Sequence, residues 1–158
     1  MLDPLAAALA IGVHVLGGGV WIGAMFFSVF VLHPRAERYF QRPADFEDLL
    51  FTVVQGARWK VLTGVAAIIA SGLALYLTHR AAAGPWSWLI AAKVALLLLV
   101  LALFVQVSWV LWPRRVFATE AELPAIRRRF RRIGTLMILC NAANVGLGVL
   151  ARVLRDAP

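Results

Sequence analysis

A single cysteine, Cys140, is all that this chain carries, which excludes an internal disulfide framework and a four-cysteine zinc site. Acidic residues are also scarce. There are eight, all between the apolar runs or near the chain ends, so no paired-carboxylate site for general acid–base catalysis is available. The sequence has no HExxH, no phosphate-binding loop and no GxSxG. An enzymatic role would therefore have to rest on a cofactor, as in a haem-dependent membrane oxidoreductase. Charged residues make up only 15% of the 158 positions, against about 25% in a soluble domain.

What is abundant is apolar sequence, at 62%. A core that apolar would leave large greasy patches in water, so the solvent is expected to be lipid. Four runs are long enough to cross a bilayer, at about 5–32, 59–78, 86–112 and 133–154, each close to the roughly 20 residues that a spanning helix needs. In lipid each must be helical, because no water is there to satisfy open backbone groups. The expected fold is all-α, a single integral membrane four-helix bundle. The N-terminus has no basic residue ahead of its apolar run and no small-x-small cleavage site after it, so the first run is read as a structural span. No internal repeat and no low-complexity segment stands out.

Basic residues set the orientation. The first connection holds Arg35, Arg38, Arg42, Arg58 and Lys60; the third holds Arg114, Arg115, Arg127, Arg128, Arg129, Arg131 and Arg132. The second has only Arg80, and the C-terminal end Arg152 and Arg155. The positive-inside rule then places the first and third connections in the cytoplasm, and both termini on the outer, periplasmic side of a bacterial-type inner membrane. The same arginines explain the net charge of +8 without nucleic acid.

The cytoplasmic connections carry amphipathic patterns. Phe46, Leu49, Leu50, Val53 and Val54 recur at helical spacing, and so do Leu123, Ile126, Phe130 and Ile133. Both read as interfacial helices, with Arg127 to Arg132 meeting anionic lipid headgroups. Thr119 and Glu122 have capping-box spacing. Trp59, Trp86, Trp88, Trp109 and Trp112 read as interfacial anchors, and His33 and His79 as residues of the span ends.

Polar groups inside lipid are costly, so each is a functional candidate. His14 lies roughly 14 Å from the outer end of its span, Lys93 roughly 11 Å and Asn144 roughly 15 Å, at 1.5 Å per residue. Asn141 is one turn from Asn144. Gly17, Gly18 and Trp21 share the His14 face, which leaves room for a flat ligand such as haem with an imidazole axial ligand. Gly19 and Gly23 form a GxxxG pair that serves helix packing or a homodimer. Deeper in, Met25, Met137 and Cys140 lie at comparable depth, and with His14 offer soft ligands for Cu(I). Without a ligand, His14 and Lys93 would hydrogen-bond to Asn141 or Asn144.

The stretch from His14 to Phe27 (HVLGGGVWIGAMFF), followed by Val31, Leu32, His33 and Pro34, resembles the CopD-like copper-resistance membrane family. Ser71, Gly72 and Leu73 are similar to the end of its second helix, and Leu89 to Leu96 to its lysine-bearing third helix. That resemblance implies copper homeostasis or transport. The pattern is also similar to the HemJ protoporphyrinogen oxidases, which implies a b-type haem with roles for His14 and Lys93. The chain lacks that family's RLFVYH and NEVP stretches. What carries over is therefore the haem rather than the porphyrinogen chemistry.

Overall fold

The computed structural model describes residues 3–79 and 87–155, and all regular structure among them is helical. The order is α1 (Pro4–Phe26), a π-helical turn π1 (Phe27–Leu32), α2 (His33–Tyr39), α3 (Pro43–Val54), α4 (Ala57–His79), α5 (Ser87–Val105), a second π turn π2 (Gln106–Leu111), α6 (Trp112–Val116) and α7 (Leu123–Arg155). Four stretches are long and apolar enough to cross a membrane: Pro4–Tyr39, Ala57–Thr78, Trp88–Val116 and Leu123–Leu154. This is a membrane protein of four helices. Large apolar side chains such as Leu5, Leu16, Val20, Leu98 and Val153 are exposed along them, a surface that water would not tolerate. The loop at Ala83, Gly84 and Pro85, with Arg80, Trp86 and the side chain of His79, lies outside the described residues.

Local chemistry sets the helix ends. Asp3 accepts from the Ala6 N–H at 2.9 Å and Pro4 opens α1, which supplies one of the orphan donors of the first turn. Gly56 takes φ +76° between α3 and α4, a conformation that a Cβ would strain. At the start of α7 Glu122 reaches back to accept hydrogen bonds from the Thr119 N–H at 2.9 Å and the Thr119 hydroxyl at 2.7 Å. The Thr119 hydroxyl is thereby turned onto the carboxylate, not onto the backbone as a full capping box would have it. The amphipathic stretch after Leu123 is no separate helix. It runs without a break into the fourth span, because nothing between Ala125 and Arg155 breaks a helix.

α1 packs along α4, and α5 along α7, so the chain forms two hairpins; contact between them runs mainly through α1 and α7. Each hairpin repeats one device. Pro34 and Pro113 lack an N–H, and their rings would strike the carbonyl four residues earlier in an α-helix. The chain widens into a π turn ahead of each. The His33 N–H bonds to Ser28 O, and the Trp112 N–H to Val107 O. The flanking sequences match, VLHPR at 31–35 against VLWPR at 110–114. At a slightly shorter offset AAIIASG (66–72) in α4 matches AANVGLG (142–148) in α7. The chain therefore does contain an internal repeat. The shared register of the π turns makes it plain, since most of the other paired positions hold different residues.

Two apolar clusters fill the interior. One gathers Val100, Phe104, Met137 and Cys140 with Trp21, Met25 and Val61 around them. The other joins Phe46 and Leu50 of α3 to Ala36, Leu32 and Trp112. The α3 face expected from the sequence thus packs against the helix ends through Phe46 and Leu50, while Val53 stays exposed.

Candidate functional site

The intramembrane polar residues sort into two latches, one per hairpin. In the first, His14 Nδ1 lies 2.9 Å from Ile68 O and 3.3 Å from Ser71 Oγ. A carbonyl only accepts, so Nδ1 carries the proton. The ring lies against Gly72, where an added Cβ would come within 2.9 Å of His14 Cε1. In the second, Lys93 Nζ donates to Asn144 O at 2.8 Å, and Asn144 Nδ2 returns a bond to Lys93 O at 3.0 Å. Lys93 Nζ lies beside Gly148 as His14 lies beside Gly72. His14 and Lys93 occupy the same position before the two π turns, and each meets a carbonyl and, one turn on, a glycine. The His14 partner is on α4 and not at Asn141 or Asn144; the Lys93 partner is Asn144. Asn141 is buried and donates to Met137 O within its own helix at 3.0 Å.

The other sequence candidates fall into place around these. Gly17 admits Ile68, whose Cγ1 would lie 3.0 Å from an added Cβ. On the face read as room for a flat ligand, Ile68 therefore lies against Gly17 alone. Gly18, Gly19 and Gly23 meet nothing within 4 Å. Trp21, Met25, Met137 and Cys140 do come together in one apolar cluster. Among the described residues, no three of His, Cys, Asp and Glu gather as they would around a metal ion.

A second feature lies at the other, arginine-rich end of the bundle. A cavity of about 720 Å³ lies between the hairpins, within the range of small-molecule sites. Its deep wall is apolar and soft: Trp21, Met25, Val61, Phe104 and Met137. Its outer wall is charged, with Glu37 and five arginines, Arg58, Arg115, Arg127, Arg128 and Arg131. His33 and Trp112, the paired residues that follow the π turns, line it from opposite hairpins. Arg58 Nη2 donates to Ser108 O at 2.9 Å, and its guanidinium stacks over Trp109 at 4.8 Å. His33 is held as a ligand histidine would be. Its Nδ1 lies 2.7 Å from Ser28 O, which fixes the proton there and leaves Nε2 with a free lone pair. His14, Lys93, Asn141 and Asn144 do not line this cavity.

An ion cluster closes the cavity's charged end. Arg115 donates through Nε and Nη2 to the two Glu47 oxygens at 2.6 and 3.0 Å. Arg127 Nε donates to Glu47 Oε1 at 2.9 Å, and its Nη1 to Glu37 at 3.1 Å. Both carboxylates belong to the first hairpin and both guanidinium groups to the second, so the cluster ties the halves by complementary charge. Burial alone would raise the Glu47 carboxyl; hydrogen bonds and charges from Arg115 and Arg127 outweigh it and hold it below the ordinary carboxylate range. Phe46 and Phe130 flank Arg115, at 5.7 and 5.1 Å, and such rings favour a cation.

No protein-family model, no curated protein and no solved structure matches this chain. The function therefore has to be argued from the site. His33, Glu47 and Arg115 were not among the sequence candidates. The signal that could have found them was the pair VLHPR and VLWPR, which marks His33 and the start of the Arg115 helix as one recurring structure.

Proposed function

We propose that this chain is a multi-pass protein of a bacterial-type inner membrane, and that it does redox work on a b-type haem held in the cavity between its hairpins. The orientation has both termini in the periplasm, with α2, α3 and the first turns of α7 at the cytoplasmic face. Arginine supports it, since it crowds the α2–α3 and α6–α7 connections and is sparse elsewhere. Lipid surrounds the outward faces, and anionic headgroups meet the exposed Arg128, Arg129, Arg131 and Arg132.

The single observation that carries the haem reading is the cavity's composition. It combines a histidine with Nε2 free, the thioethers of Met25 and Met137, aromatic walls and a rank of arginines. A b-type haem is an apolar ring with two carboxylates and an iron that takes His or Met axial ligands. In this reading His33 or a methionine ligates, and the arginines hold the propionates by charge-assisted bonds. When bound, the haem supplies one-electron chemistry. The protein orients it and excludes water from its apolar edge. The assignment moves the ligand from His14 to His33, since His33 lines the cavity and His14 does not.

Copper homeostasis, which the CopD-like resemblance implies, is the second reading. One observation favours it: Met25, Met137 and Cys140 share a single buried cluster, and sulfur ligands of that kind suit Cu(I).

Purification in detergent, with a visible spectrum and metal analysis, separates the two. A Soret band abolished by His33→Ala and kept by His14→Ala supports haem in the cavity. The reverse pattern would return the haem to α1. Stoichiometric copper without a Soret band, lost in Cys140→Ser, supports the second reading. A preparation that stays colourless and metal-free after reconstitution with either sinks both. A C-terminal reporter active only in the cytoplasm would overturn the orientation.

A further inference from the structure

Two nitrogens in the ion cluster make no hydrogen bond, Nη1 of Arg115 and Nη2 of Arg127. Arg127 Nη2 does lie 2.8 Å from Glu47 Oε1, a charge contact at an angle that forms no bond. The Arg115 side chain is only 1% exposed and that of Arg127 16%. A buried guanidinium N–H without an acceptor is costly, more so than a neutral donor. Phe46 and Phe130 meet the guanidinium faces of these arginines but offer no in-plane acceptor. Both arginines line the cavity. The local charge is also unbalanced. Arg58, Arg115, Arg127, Arg128 and Arg131 stand against Glu37 and Glu47 alone, with His33 the other titratable group on the wall.

We infer that Arg115 Nη1 and Arg127 Nη2 form a seat for an oxyanion, a phosphate or carboxylate, on an amphipathic molecule whose apolar part lies along Trp21, Met25 and Met137. Arginine forks match such groups in a two-point geometry. The deep wall continues the seat into apolar surface, so a free inorganic anion would leave most of the cavity unfilled. The seat lies between hairpins, next to a carboxylate that competes for the same arginines. An incoming oxyanion therefore adds the charge that Glu47 alone does not supply. This inference rests on the cavity as a ligand site and not on haem: a propionate would occupy the seat, and so would a lipid phosphate.

The test uses the full chain in detergent, with native mass spectrometry to count bound ligand. The probes are dioctanoyl phosphatidate, dodecanoate, dioctanoyl phosphatidylcholine and inorganic phosphate. One phosphatidate or dodecanoate per chain is expected, with phosphatidylcholine much weaker. Arg115→Lys keeps the charge and loses the fork, and is expected to weaken retention roughly tenfold. Glu47→Gln removes the competing anion and is expected to strengthen retention several-fold; it decides the matter even if Arg115→Lys folds poorly. The visible spectrum of the haem-reconstituted chain reads haem separately: amphiphile retained with no Soret band leaves the seat standing and fails the haem reading alone. Retention insensitive to Arg115→Lys and Glu47→Gln would place the anion on exposed arginines and overturn the seat. Binding of inorganic phosphate with no amphiphile retained would overturn it as well.

Discussion

The two hairpins follow one plan and differ in which charges they carry. Each runs from a polar latch through a π turn to an X-Pro-Arg step and back along a helix with a glycine under the latch. The first hairpin holds the latch with a flat ring, His14, and contributes carboxylates, Glu37 and Glu47, to the junction. The second uses a flexible chain, Lys93, and contributes guanidinium groups, Arg115 and Arg127. The latches act within hairpins, whereas the charges act between them. The shared plan thus carries two tasks: holding each half rigid, and holding the halves together around a cavity.

The largest effect is expected where the halves meet. Arg115→Met leaves Glu47 half-buried with a single partner, and breaking such a pair costs about 3 kcal/mol. The thermal midpoint in detergent should fall well below that of Arg58→Met, which loses a stacked cation and one bond. Equal falls would mean that the cluster does not join the hairpins. Acid is expected to act on the same point. Because the folded Glu47 carboxyl titrates below its ordinary value, its contribution is complete above the unfolded value of about 4.3 and is lost as pH falls through the folded one. Glu47→Gln should flatten that part of the stability profile.

A smaller effect is expected at the one close approach of α7 to π1. A Cβ on Gly134 would come within 2.6 Å of Val29 Cγ2, and a β-branched side chain has little room to turn. Gly134→Ala should cost about 2 kcal/mol and shrink the cavity, lowering probe retention as well as the midpoint. The finest comparison sets the latches side by side. An alanine at residue 72 meets a rigid imidazole at 2.9 Å, and one at residue 148 meets the far end of a flexible lysine side chain at 3.0 Å. Gly72→Ala should therefore cost about 1 kcal/mol and Gly148→Ala almost nothing. If the two cost the same, the latches are alike and the contrast between ring and chain is wrong.

Much of the fold was legible because the bilayer makes length and apolarity decisive. The four spans follow from composition, and the shared depth of His14, Lys93 and Asn144 follows from a constant rise per residue. Rotation about each helix axis was not legible. These helices are apolar on every side, so no polar face tells inside from outside. The sequence gives His14 a depth similar to that of Lys93 and Asn144 but does not choose Ile68 over Asn144 as its partner. Past the π turns the difficulty grows. A wide turn holds an extra residue, so periodicity carried across it assigns the wrong face. His33 reads as a span-end residue from its position along the chain, which says nothing of the cavity that it lines. Arg115 was hidden for a different reason: seven arginines fill its connection, and nothing in their order says which one is enclosed.

α7 has one more consequence. At 33 residues it is about 50 Å long, against roughly 30 Å of hydrocarbon. The part from Ile133 onward matches the membrane, and the leading turns, which carry Arg127, extend past it as the same unbroken rod. In the first hairpin Gly56 separates α3, which carries Glu47, from the spanning α4, whereas Glu37 sits at the end of the stretch Pro4–Tyr39. A thicker or thinner bilayer tilts a helix to reduce mismatch. Tilt of α7 swings Arg127 relative to Glu37 and Glu47, so membrane thickness becomes a variable that the junction between the hairpins can register.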